Sequence, residues 1–167
     1  MKKLIISLLI GSILLGGCKA GTISPAGVSI PSKAPTVTES VGPDNLTWVA
    51  PAKVEIGSFY PGARAEFYLT VHNGSEDSKQ FTVSYLVPSQ IRGEYKTAIE
   101  GVEAWVTIEP SGAVFAPRET RQVFVAVEMP EDAEEFAENW EFWIRVKEDQ
   151  VGMIQTELAS RILVSMR

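Results

Sequence analysis

Cysteine is almost absent from these 167 residues: Cys18 is the only one, so no disulfide can form within the chain. Histidine is as scarce, with His72 alone, which excludes multi-histidine metal sites and any two-histidine mechanism. No Cys-rich zinc spacing, no Gly-x-Ser-x-Gly elbow and no phosphate-cradling glycine loop occurs. No Asp-x-Asp-x-Asp-Gly loop stands in the acidic stretch of Glu131, Asp132, Glu134, Glu135 and Glu138, so a solvated turn is expected there instead of a cation site. Positive charge is in deficit, with 15 basic against 21 acidic side chains and a formal charge of −6. Such a balance disfavours nucleic acid and anionic lipid as partners. A pair of carboxylates can hydrolyse glycosides without histidine, but no pattern frames such a pair here. The expectation is a chain with no catalytic residues, no metal and no cofactor.

What is present begins at the N-terminus. Lys2 and Lys3 precede an apolar run from Leu4 to Leu15, and Gly16 and Gly17 follow it. Positive residues, roughly 7–15 apolar ones and a small-residue cleavage site make a secretory signal. The run falls short of the about 20 residues that a membrane-spanning helix needs. Leu15-Gly16-Gly17-Cys18 resembles the lipobox of bacterial lipoproteins. That resemblance implies cleavage after residue 17 and lipidation of Cys18. It also implies stable attachment, because two or more acyl chains hold where one does so only marginally. Lys19 follows, not the aspartate linked to inner-membrane retention in enterobacteria, so cell membrane and outer membrane both stay open. The expected location is exported and lipid-anchored, facing the extracytoplasmic side.

Residues 18–47 read as a tether. Pro25, Pro31, Pro35 and Pro43 alternate with Gly, Ser, Thr and Ala, and large apolar residues are few. Such a segment cannot bury enough apolar surface to offset its ordering entropy. As a coil it would reach roughly 30 Å.

Residues 48–167 read as one domain of ordinary size, long enough to bury a core without disulfides. Period-two runs dominate it. Phe67, Leu69 and Val71 share a face; so do Phe81, Val83, Tyr85 and Val87. Val123, Val125, Val127 and Met129 form a third set, and Trp140, Phe142, Ile144 and Val146 a fourth. Leu158 to Met166, Val54–Ile56 and Trp105–Ile108 complete about seven strands. The turn cluster Asn73–Asp77 predicts that the first two runs are neighbours. Glu131–Asn139 alone looks helical. The spacing predicts an all-β fold, a single antiparallel β-sandwich of the immunoglobulin-like kind.

The order of turns sharpens this. Phe59-Tyr60-Pro61-Gly62 leads one strand, His72-Asn73-Gly74-Ser75 ends it, and Ala116-Pro117-Arg118-Glu119-Thr120 leads the valine-rich strand. The pattern is similar to immunoglobulin-like modules related to major sperm protein and to the β-domains appended to bacterial glycosidases. Arg118 stands where those modules usually carry glycine. The resemblance implies a binding or spacing role and supplies no catalytic residues.

Aromatics supply the binding candidates. Trp140 shares the core face of its strand, so Trp143 falls with charged Glu141, Arg145 and Lys147 on the other. Trp143, Trp105 and Tyr68 form the expected binding patch, since exposed aromatics anchor protein partners and stack on sugars. His72, at a strand end, is expected to be a turn residue. The resulting expectation is a lipid-anchored protein-binding or spacer module, its membrane contact made through Cys18. A glycan-binding module and a structural component of a surface or virion assembly are the alternatives.

Overall fold

The computed structural model describes residues 36–37, 42–91, 93–98, 101–133, 138–149 and 155–167. The signal, Cys18 and most of the tether lie outside the described residues, as do Glu134 and Glu135 of the acidic stretch.

Alternating burial builds the strands. They are β1 (Thr36–Val37), β2 (Trp48–Ala50), β3 (Lys53–Phe59), β4 (Arg64–His72), β5 (Lys79–Leu86), β6 (Lys96–Thr97), β7 (Val106–Glu109), β8 (Gly112–Phe115), β9 (Thr120–Glu128), β10 (Trp140–Glu148) and β11 (Glu157–Met166). In β4, Ala65, Phe67, Leu69 and Val71 are buried while Arg64, Glu66 and Tyr68 are exposed. Every run expected from period two is a strand. Four short ones, β1, β2, β6 and β8, are additional.

Two sheets enclose the core. One follows the order β1-β3-β11-β10-β5-β8 with β6 also on β10; the other is β2-β4-β9-β7. Two of the chain's crossings from the β2-β4-β9-β7 sheet to the other, between β2 and β3 and between β7 and β8, fall at Pro51 and Pro110, whose peptide bonds are cis. After the first crossing β3 runs parallel to β11, and β6 runs parallel to β10; the other pairings are antiparallel. The turn after β4 is not a hairpin: β4 and β5 belong to different sheets. Asn73, wholly buried, accounts for this. Its Nδ2 donates to the carbonyls of Asp77 and Ala116, both at 2.9 Å, and its Oδ1 accepts from Ser75 N at 3.1 Å. That clip fastens the crossing to the turn before β9.

The only helix among the described residues is a 3₁₀ turn over Val102–Trp105. Glu131 and Asp132 lie in a turn, and residues 134–137 of the expected helical stretch are outside the described residues.

Between the sheets runs a row of rings. Trp105 meets Trp140 edge-on at 6.3 Å, Trp140 stacks on Phe142 at 5.6 Å, and Phe142 stacks on Tyr85 at 5.2 Å. Phe59 joins Trp140 at 6.5 Å. Burial and the Glu103 charge raise the Tyr85 hydroxyl to about 12, so it stays protonated.

Residues 43–47, read as tether, pack onto the sandwich. His72 is 3% exposed and is a structural clamp: Nε2 donates to the Asp44 carbonyl at 2.8 Å, and Nδ1 pairs with the Thr120 hydroxyl at 2.8 Å. Trp48 stacks on its ring at 5.2 Å. Gly74 lets this segment approach, because a Cβ there would lie 2.1 Å from the Leu46 carbonyl carbon. Arg118, the departure from the usual glycine, does adopt the left-handed conformation, φ 58°. The cost of about 1–2 kcal/mol is offset by its guanidinium, which donates to the carbonyls of Asp44 and Gly74 and pairs with Glu76.

Candidate functional site

The three aromatics expected to form one patch are not brought together. Tyr68 lies on the outer face of the β2-β4-β9-β7 sheet, opposite Phe67 and Leu69, 55% exposed and 5.5 Å from the Phe124 ring. Trp143 lies on the outer face of the other sheet, opposite Phe142 and Ile144. The core separates them. Trp105 belongs to neither face, because the 3₁₀ turn directs it onto Trp140 at the core margin. A single patch from Trp143, Trp105 and Tyr68 is therefore corrected to two sites on opposite faces.

The first site is an edge. β9 pairs along the whole of β4, but β2 covers the other side only at Thr70–His72. Arg64 to Leu69 have no strand partner there among the described residues. The parity of the ladder follows from Asn73 N donating to Glu119 O, so odd-numbered residues of β4 face β9. Backbone groups of Arg64, Glu66 and Tyr68 therefore point outward from the sheet edge. Arg64 pairs with Glu66 and Glu128 at 2.8 Å, a charged fringe of the kind that discourages indiscriminate edge pairing. Tyr68 and Phe124 lie beside it.

The second site surrounds Trp143. Its cross-strand partners are Arg161 on β11 and Leu86 on β5. Glu141, two residues back on the same face, is only 1% exposed. Tyr95 and Gln90, from the connection between β5 and β6, reach over this face: the Tyr95 hydroxyl meets Ser165 Oγ at 3.1 Å, and Gln90 lines a recess beside Glu141. Glu141 Oε1 accepts from Trp143 Nε1 at 2.5 Å and from Arg161 Nε at 2.9 Å, and its Oε2 accepts from Arg161 Nη2 at 2.9 Å. Burial alone would push this carboxyl up. The bonds from Arg161 and Trp143, with the guanidinium charge, outweigh burial and hold it below the usual carboxylate range. Gln90, Glu141, Trp143 and Arg161 line a recess of about 300 Å³, open to solvent.

Sequence reading found Trp143 and Tyr68 as outward-facing but missed Glu141 and Arg161. No local signal marks either: their meeting depends on the register of β10 against β11. No group of acids, histidines or cysteines among the described residues is placed to hold a metal ion.

No protein-family model matches this chain, and no curated protein matches it in sequence. Solved structures do match in shape. An ASH/PapD-like domain of human CEP192 superposes with a TM-score of 0.56 at 11% identity, over 79% of this chain and 93% of that one. The Escherichia coli chaperone DraB gives 0.50 at 14% identity, over 72% of this chain and 55% of its own. A family 123 glycoside hydrolase from Clostridium perfringens gives 0.51 at 8% identity, over 79% of this chain and 27% of its own. The chain thus spans little more than half of the chaperone and about a quarter of the hydrolase. At these identities the likeness shows the fold: an immunoglobulin-like, PapD-like β-sandwich.

Proposed function

We propose that this chain is a non-enzymatic binding module of the cell envelope, exported and held by lipid on Cys18. Its sandwich takes a protein partner by strand addition along the open edge of β4. The observation that carries this reading is the open side of β4 over Arg64–Leu69, which no strand among the described residues covers. An extended segment of a partner can satisfy the outward backbone groups of Arg64, Glu66 and Tyr68, while Tyr68 and Phe124 offer apolar contact to its side chains. Main-chain bonds supply affinity in this mode, and the Arg64–Glu66–Glu128 fringe supplies discrimination. The PapD-like fold, which a chaperone and an ASH domain share, supports a role in meeting proteins. The lipobox-like signal supports the anchor, which concentrates a binder at a surface.

Glu66→Pro tests the edge. Proline removes the one N–H that points away from β9 at the centre of the open stretch and leaves the β4–β9 ladder intact. The exposed Arg64–Glu66 pair lost with it contributes little to stability. The full chain, crosslinked in its native envelope, should recover a partner that the variant recovers at least about tenfold less, as expected for 1.4 kcal/mol. Equal recovery by a folded variant would place the partner elsewhere.

A further inference from the structure

Glu141 is a carboxylate sealed on the outer face of a sheet, where an apolar side chain would have been at least as stable. Its three bonds do something that an apolar residue could not. They fix the indole of Trp143 and the guanidinium of Arg161 side by side, both partly open to solvent. Arg161 spends its Nε–Nη2 edge on Glu141, and among the described residues nothing bonds Nη1 or the second hydrogen of Nη2. The Trp143 N–H is occupied, which leaves that ring to contribute its face. Gln90, an exposed residue that also lines the recess, brings an amide with both a donor and an acceptor.

We propose that this recess is a saccharide-binding site, with one pyranose ring laid on Trp143 and its hydroxyls on Arg161 and Gln90. The volume of about 300 Å³ is at the lower end for small-molecule sites and suits a single sugar unit better than a long chain segment. Charge selects a neutral ligand. Arg161 is already balanced by Glu141, and an anion entering the recess would meet that carboxylate. The free groups include both donors and acceptors, and a hydroxyl can serve either. The C–H face of a pyranose carries partial positive charge and is attracted to the negative face of the indole. Glu141 is the positioning residue: by holding both partners before a ligand arrives, it reduces the ordering cost of binding. The site occupies the sheet opposite the β4 edge, so it is independent of the strand-addition reading, and either can fail alone.

Four methyl glycosides serve as probes for the full chain: those of glucose, galactose, mannose and N-acetylglucosamine. At least one should bind at about 1 mM. Saturation transfer should reach the C–H protons of one ring face, and the Trp143 indole N–H resonance should shift. Trp143→Ala should abolish the binding. Gln90→Ala, at an exposed position, should weaken it about tenfold, the loss expected for a hydrogen bond of 1.4 kcal/mol. If none of the four shifts the indole resonance, the proposal fails. It also fails if affinity survives both substitutions, or if glucuronate binds as tightly as the neutral glucoside.

Discussion

Arg161→Ala should destabilise the sandwich by about 3–5 kcal/mol, the cost of leaving a buried charge without its partner. This is unusual for an arginine whose side chain is 39% exposed. The loss arises at Glu141, which would keep only the Trp143 N–H while still shielded from water. Lys53 and Glu55, on the same sheet face, form a pair at 2.7 Å with both side chains exposed. Lys53→Ala should change stability by no more than about 0.5 kcal/mol. Urea unfolding distinguishes the two. Converting the pair together, as Glu141→Leu with Arg161→Met, should restore most of the lost stability, because the desolvated charge is then gone.

The pH dependence has a definite sign. The folded carboxyl of Glu141 lies below its unfolded value, so its contribution is present above the unfolded range and is lost as pH falls through the folded one. Wild type should therefore lose more stability on acidification than Glu141→Gln. In Arg161→Ala burial acts with little opposition and pushes the carboxyl up, so the dependence reverses. That variant should regain part of its deficit as Glu141 takes a proton.

Phe142→Ala should cost about 3–5 kcal/mol, as large-to-small changes of buried aromatics do. Phe142 has no exposed surface and stacks on Trp140 on one side and Tyr85 on the other. Its strand is held between β11 and β5, so the backbone cannot move inward to fill the space. The row of rings from Trp105 to Tyr85 would be divided by a cavity. Denaturant unfolding should show a lower midpoint with an unchanged slope, the mark of altered stability with the same surface exposed on unfolding.

Period two made the long strands legible because each sheet has one wet face and one dry one. β4, β9 and β10 declare themselves by alternation alone. The short strands do not: two to four residues are too few to show a period, and β1 and β6 owe their existence to neighbours distant in sequence. Asn73–Asp77 looked like a hairpin turn because local turn chemistry does not record which sheet the chain enters next. The site residues divide the same way. Tyr68 and Trp143 could be placed on outer faces from their own strands. Glu141 and Arg161 become a pair only through the β10–β11 register, and Trp105 turns inward because of the 3₁₀ turn that carries it. His72 had the same limitation, since both its partners, Asp44 and Thr120, lie far away along the chain.

The proposed anchored module would gain its local concentration from acyl chains on Cys18, so metabolic labelling with a radioactive fatty acid is the decisive measurement. Wild type should carry the label and partition into membranes, while Cys18→Ser should carry none and remain in the soluble fraction with its sandwich folded. Equal labelling of the two, or no labelling of either, would contradict an anchored module.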